Sequence, residues 1–283
     1  MELLDGKKVK MYLFKELKKK LNKINRRLGF CVIQIGDNDS NNIYLKSLIK
    51  MADELNYNVD IVKYSNDTCE DTILSLIKKL NKDNYVDGII LLSSISDCFN
   101  LYKIQNSISH FKDIDGITDI NMGKLVHGSN CLISATALGI IDLLKYYNID
   151  VSGKNVAIVG RSDLVGKPLA SLLINNDATV TICHSKTNNL KKITREADIV
   201  ISVAGVPGLI DKDFLKEGAI VIDAGINKTV DGIVGDVLFD DVADKVGYIT
   251  PVPGGVGQVT IAEIGFNIYK AYIDSIMGDS YDR

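Results

Sequence analysis

Apolar residues recur along this chain in two patterns that take turns: short continuous or alternating runs, and stripes spaced three and four apart. FCVIQIG (30–36) is an apolar run ending in glycine, YNVDIVKY (57–64) alternates, and VDGIILLSSI (86–95) is again apolar; each predicts a strand. Positions 44, 45, 48, 49, 52 and 55 form one face of a helix over 41–56. A lysine-rich helix is predicted over 7–28, and Asp67 or Thr68 caps another that runs to about Asp83. The second half repeats the alternation more strongly. VAIVG (156–160), TVTIC (179–183), DIVISVAG (198–205) and AIVIDAG (219–225) predict strands, with helices in the first gaps and a shorter one before the fourth strand. A helix over 135–147 bridges the halves, and a last helix covers about 258–277. Short strands separated by helices imply parallel sheets with crossovers. The expected fold class is α/β, with one domain over 1–134 that the last helix (258–283) rejoins, and a second over 135–257.

Composition narrows the function. The chain has 283 residues, 46% of them apolar and 24% charged, as in an ordinary globular protein. A net charge of −3 argues against a nucleic-acid binder, which is usually basic. The basic residues of the first helix (Lys15, Lys18, Lys19, Lys20, Lys23, Arg26 and Arg27) read as a solvated face. No apolar run approaches bilayer length, and the start, MELLDGKKVK, has no signal-peptide core, so a cytoplasmic protein is expected. The cysteines (31, 69, 98, 131 and 183) are odd in number and lack CxxC spacing, which fits buried thiols in a reducing compartment. His110, His127 and His184 lie far apart, so no metal site is expected.

The stretch VAIVGRSDLVGKPLASLL (156–173) carries the strongest chemical signal. A buried strand enters a glycine turn and an amphipathic helix follows at once, which aims backbone N–H groups and a helix N-terminus at a phosphate. The turn departs from GxGxxG, because Gly160 and Gly166 stand six apart, and it holds Arg161 and Ser162. The next strand ends in Cys183-His184-Ser185-Lys186. An NAD site usually has an acidic residue there for the ribose 2′-hydroxyl. Ser185 does not repel a 2′-phosphate and Arg161 can pair with one, which favours NADP. TPVPGGVG (250–257) combines fixed prolines with glycines that permit close approach, and reads as a lid over the cofactor.

These segments, with ADIVISVAGVPGLI, GAIVIDAGIN and GDV in the same order, resemble the methylenetetrahydrofolate dehydrogenase/cyclohydrolase family. The N-terminal half aligns more loosely through LLDGK, IGDNDSNNIY, DGII and KDIDGI, so the resemblance spans nearly the whole chain. It implies an N-terminal folate-binding catalytic domain and a C-terminal Rossmann-like NADP-binding domain. It also implies a homodimer acting on tetrahydrofolate derivatives in one-carbon metabolism and purine biosynthesis. In such enzymes a hydride passes from 5,10-methylenetetrahydrofolate to the nicotinamide, and water then opens the methenyl product to 10-formyltetrahydrofolate. Carried over by position, Gly160, Arg161 and Ser162 hold cofactor phosphates and ribose, and Ser185 meets the 2′-phosphate. Ile226 lies at the nicotinamide, Tyr44 stacks on the aminobenzoate ring, and Asp115 accepts from the pterin amino group and ring nitrogen. Gly254 and Gly255 lie against substrate and nicotinamide.

The pattern breaks where the second reaction needs it. The family places a water-activating lysine four residues after the tyrosine; here Leu48 stands there, and Lys46 and Lys50 face elsewhere on the helix. The family follows DGII with Val-Gln-Leu-Pro-Leu-Pro, its glutamine steadying the lysine; here Leu91-Leu92-Ser93-Ser94-Ile95-Ser96 follows, with Leu92 in the glutamine's place. SATALG (134–139) replaces a proline–cysteine–threonine–proline loop, keeping Thr136, and Gln258 replaces a proline after GGVG. A dehydrogenase with weak or absent cyclohydrolase activity is therefore expected. A full bifunctional enzyme with another proton-handling group, and a non-catalytic NADP-binding paralogue or dimer partner, stay open.

Overall fold

The computed structural model describes residues 1–93, 99–230 and 232–277. The first half runs β1 (Glu2–Leu3), α1 (Gly6–Leu21), β2 (Gly29–Ile35), α2 (Asp39–Leu55), β3 (Asn58–Tyr64), α3 (Glu70–Lys82), β4 (Gly88–Ser93), α4 (Leu101–Asn106) and α5 (Asp119–Val126). The second runs α6 (Ala135–Tyr146), β5 (Asn155–Val159), α7 (Gly166–Asn175), β6 (Thr179–Cys183), α8 (Leu190–Glu196), β7 (Ile199–Ser202) and β8 (Ile220–Asp223). It closes with the hairpin β9 (Asn227–Thr229) and β10 (Gly232–Val234), then α9 (Phe239–Val242), β11 (Tyr248–Ile249) and α10 (Val256–Met277). The short helix expected before the fourth strand is a single 3₁₀ turn, Lys212–Phe214.

The chain divides into two compact units. One contains Met1–Tyr12 and Thr136–Thr260; the other contains Leu13–Ala135 and the chain from Ile261 onward. The first has a six-stranded parallel sheet ordered β1-β11-β8-β7-β5-β6. The second has a three-stranded parallel sheet ordered β3-β2-β4. In both, the chain leaves one strand and places the next two on opposite sides of it. That reversal opens a crevice at the carboxyl ends of β5 and β7, and of β2 and β4, where ligands of α/β proteins bind.

The expectation that residues 1–134 form one domain is corrected at its start. Glu2 and Leu3 pair in parallel with Tyr248 and Ile249, so the first twelve residues belong with the six-stranded sheet. Strands of two residues are too short to show a period, and the pairing joins opposite ends of the chain. The first helix also ends at Leu21, not near 28. Past Asn22 the chain tightens into turns, and Leu28 is then fully buried at the entrance to β2. Asp67 and Thr68 do not cap α3: Thr68 N–H closes a turn on the Ser65 carbonyl, and the cap position is Cys69. Of the strand expected over 86–95, positions 94 and 95 lie outside the described residues.

Separate apolar cores support the sheets. Ala157, Val159, Val200, Val221, Phe214 and Val242 pack together in the first unit. Cys31, Ile33, Ile73, Ile77, Ile89 and Ile104 do so in the second. The near-continuous burial of β2 and β4 is what a parallel sheet covered on both faces requires.

Candidate functional site

In the second unit, α2 follows β2 through the turn Gly36–Asn38, and the Asn38 side chain caps the helix by accepting from Asn41 N–H. Tyr44 sits on the second turn, half-buried, and Leu48 one turn later is completely buried. Lys46 and Lys50 are exposed. Leu92, in β4, is buried beside Gln34 of β2 in the sheet register. The Gln34 amide donates to Gly36 O and Asn42 Oδ1 at 3.3 and 3.0 Å, while its buried Oε1 has no partner among the described residues.

Asp115 lies in the turn after the bridge that joins Asp113 to Ile89. Burial pushes its carboxyl up to about 7, and the neighbouring Asp113 carboxylate pushes in the same direction. Asp113 itself is buried. Its Oδ2 accepts from Thr118 N–H and Asn121 Nδ2 at 2.8 and 2.9 Å, and its Oδ1 has no partner among the described residues. Burial, and after it the charge of Asp115, raises the Tyr44 phenol well above its usual range. The structure thus brings Tyr44 and Asp115 within electrostatic reach of each other. Leu48 leaves the helix face below Tyr44 without an ionisable group.

In the first unit, β5 ends at Val159 and the chain turns at Gly160, whose φ of +130° is strained for any residue with a side chain. A Cβ there would stand 2.5 Å from Val203 O, and one on Gly166 would stand 2.5 Å from Gly160 O. The loop is therefore pressed against its own backbone. Ser162 Oγ accepts from Val165 and Gly166 N–H at 3.2 and 3.4 Å, starting α7. Pro168 fits in the first turn, where its missing N–H is not needed. Arg161 and Ser185 are exposed, and Lys167 pairs with Asp163 across one helical turn. Gly160 N–H donates to Cys183 O at 2.9 Å, so the two loops that hold Arg161 and Ser185 leave adjacent strand ends. The residues present fit an NADP pyrophosphate and 2′-phosphate.

Ile226 is exposed, and a Cβ on Gly257 would stand 3.8 Å from its Cδ1. The segment expected to act as a lid is tied to the start of α1: Gly6 N–H donates to Gly254 O at 3.0 Å, and a Cβ on Gly6 would collide with Gly255 O. The Val252–Pro253 bond is cis, and Gly254 has a φ of +115°.

Two aspartates build this end of the sheet and were not read from the sequence. Asp236 is fully buried. Its Oδ2 accepts from Ser202 Oγ, Ala204 N–H and Gly205 N–H at 2.8, 2.8 and 3.1 Å. Its Oδ1 accepts from Val206 N–H and Asn227 Nδ2, both at 2.9 Å. Asp223 accepts from Gly225, Asp236 and Val237 N–H at 2.9, 3.0 and 2.9 Å. Burial pushes its carboxyl up against the opposing pull of those donors. Together they fix the loops after β7 and β8, and with them Ile226. The only sequence signal was an acidic residue ending one apolar strand and another following Gly235. Among the described residues no group of His, Cys, Asp and Glu is arranged to hold a metal ion, and no helix is long and apolar enough to cross a membrane.

The chain matches known proteins over most of its length. Residues 4–115 match the model of the tetrahydrofolate dehydrogenase/cyclohydrolase catalytic domain, and 134–275 match that of the NAD(P)-binding domain of the same family. The bifunctional protein FolD of Clostridium novyi is 43% identical over 261 residues, covering 91% of this chain and 94% of the other. The crystal structure of FolD from Campylobacter jejuni superposes with a TM-score of 0.93 at 40% identity, covering 97% and 99% of the two chains. The FolD of Trypanosoma brucei, solved with NADP and an inhibitor, gives a TM-score of 0.91 at 31% identity, covering 98% of each.

Proposed function

The chain belongs to the tetrahydrofolate dehydrogenase/cyclohydrolase family, and from that premise we propose that it is an NADP-dependent 5,10-methylenetetrahydrofolate dehydrogenase whose cyclohydrolase step is weak or lost. The observation that carries the second clause is Leu48, which is 0% exposed one helical turn beyond Tyr44.

When bound, the nicotinamide supplies the hydride acceptor. The backbone from Gly160 to Gly166 and the start of α7 receive the phosphates, while Arg161 and Ser185 take the 2′-phosphate. Ile226, Gly254 and Gly255 line the nicotinamide and substrate. Tyr44 gives the aminobenzoate ring a flat apolar face, and the Asp115 carboxylate accepts from the pterin's N–H groups. In the first step a C–H bond of the methylene carbon breaks and both electrons leave with the hydrogen, giving the methenyl cation. That step requires alignment of two bound partners and no protein proton carrier. In the second step water bonds to the methenyl carbon and loses a proton; the resulting hydroxyl then gives up its own proton to become the formyl carbonyl while the ring nitrogen gains one as its C–N bond breaks. This step requires a group that holds and returns a proton. Leu48 has none.

Family membership supports a homodimer, and β6, an edge strand with Thr179, Thr181 and Ile182 exposed, offers an open backbone edge for it. A cytoplasmic place in one-carbon metabolism belongs to the same reading. The test follows methenyl absorbance with methylenetetrahydrofolate and NADP. Methenyl product that builds up and decays no faster than in buffer supports the proposal. Hydrolysis accelerated by the protein removes the cyclohydrolase clause, and the absence of any NADP-dependent methenyl formation removes the whole reading.

A further inference from the structure

We propose that Asn267, a buried residue of α10, is a positioning residue for Asp115 and through it sets the affinity for the folate substrate. The inference rests on the reading of Asp115 as the acceptor for the pterin. Asn267 is 2% exposed, and its Nδ2 donates to Ile114 O at 2.8 Å and to Ile133 O at 2.7 Å. Both hydrogens of the amide are thereby committed, one to the residue immediately before Asp115. The other goes to a segment that presses on the residue immediately after it. Gly116 has a φ of +64°, and a Cβ there would stand 2.5 Å from Ile133 C and 2.7 Å from Ser134 N.

Asp115 is therefore presented from a two-sided clamp. On one side the Ile114 side chain is fully buried and packs so closely on Gly88 that a Cβ on Gly88 would meet it at 2.6 Å. On the other side the left-handed turn at Gly116 lies flat on residues 133 and 134. Asn267 spans the two halves, and no change of rotamer keeps both bonds. Losing the amide leaves the buried Ile114 carbonyl and the partly buried Ile133 carbonyl without these donors. The turn is then free to rotate, and the carboxylate moves with it.

The experiment measures KM for methylenetetrahydrofolate and for NADP separately in Asn267→Ala, Asn267→Ser, Asp115→Ala and the Asn267→Ala/Asp115→Ala pair. NADP binding and circular dichroism serve as the folding control. For Asn267→Ala the folate KM is expected to rise roughly tenfold with the NADP KM nearly unchanged, since one or two buried hydrogen bonds are lost. Asn267→Ser, which keeps one donor, falls between, and it substitutes for the alanine variant if that one does not fold. On the Asp115→Ala background the Asn267 change adds almost nothing, as expected of two residues acting as one. Equal rises in both KM values, or full additivity with Asp115→Ala, overturn the inference and leave Asn267 a core residue. If Asp115→Ala leaves the folate KM unchanged, the pterin reading fails. If Asp115→Ala raises it while the Asn267 variants do not, only the inference fails.

Discussion

A carboxyl pushed up to about 7, as at Asp115, is only half ionised near neutral pH. The pterin offers N–H donors, so the ionised form is the one that binds them. Folate affinity should therefore increase as pH rises through 7. We expect KM for methylenetetrahydrofolate to fall between pH 6 and 8, and Asp115→Asn to flatten that dependence while raising KM throughout. The linkage with stability has the opposite sign. The folded pKa lies above the unfolded one, so the native state binds more protons across the interval from about 4 to 7. Stability of the ligand-free protein should decline as pH rises through that window, and Asp115→Asn should remove this part of the decline. Melting curves at a series of pH values check it. Asp236 makes a second case at this scale. Its carboxylate gathers the donors of Ala204, Gly205, Val206, Ser202 and Asn227, and an amide there would set an N–H against some of them. Asp236→Asn is expected to weaken NADP binding by roughly tenfold or more, because at least one buried donor loses its acceptor. Titration of NADP against the variant decides this.

The segment from the end of α1 into β2 depends on an ion pair that the lysine-rich sequence of α1 hid. Arg26 reaches Asp87 through Nη1 and Nη2 at 2.9 and 2.5 Å, and its guanidinium lies 4.6 Å from the Tyr272 ring centre. Asp87 also accepts from Gly29 N–H at 2.8 Å, at the first residue of β2. The carboxylate raises the Arg26 pKa, mainly by its hydrogen bonds. Asp87→Ala would take the carboxylate from the guanidinium, which keeps Arg27 O at 3.1 Å, and strand the buried Gly29 N–H. The pair is buried on the aspartate side and about a third open on the arginine side, so a loss of about 2–4 kcal/mol is expected, below that of a fully buried pair. Chemical denaturation should show it, with Arg26→Ala losing less because Asp87 keeps its bond to Gly29. Reading the basic residues of 15–27 as a solvated face thus held for the exposed lysines of α1 but not for Arg26. Charge pattern along one element carries no information about a carboxylate sixty residues away.

Over the whole chain, what was legible in the sequence was what repeats locally. The strands β2 to β8 and helices α2, α3, α7 and α10 follow from apolar periodicity; Tyr44 lies on α2, Gly160 and Ser185 lie just past β5 and β6, and Asp115 lies in the turn after the bridge at Asp113. What was not legible depends on partners remote in sequence: the pairing of β1 with β11, the donors gathered by Asp236, and the clamp that Asn267 makes on Ile114 and Ile133. The substituted positions 48 and 92 are intermediate, because the sequence gives the residues and only the fold shows both buried. That burial decides the last prediction. A lysine at 48 would enter an apolar surface, where burial lowers its pKa toward the value suited to taking a proton from water. It would also lose the leucine's packing, so Leu48→Lys should lower the melting temperature. Leu92→Gln, beside Gln34, adds a polar side chain that can hold the amine. We expect Leu48→Lys alone to raise methenyl hydrolysis slightly, the double variant to raise it by roughly 10²-fold or more over the parent, as general acid–base catalysis typically gives, and neither to raise the dehydrogenase rate. Both reactions can be read in one cuvette, from methenyl formation and decay. A double variant that folds, oxidises the methylene substrate and still leaves the methenyl product intact would mean that the missing lysine is not what limits the second reaction.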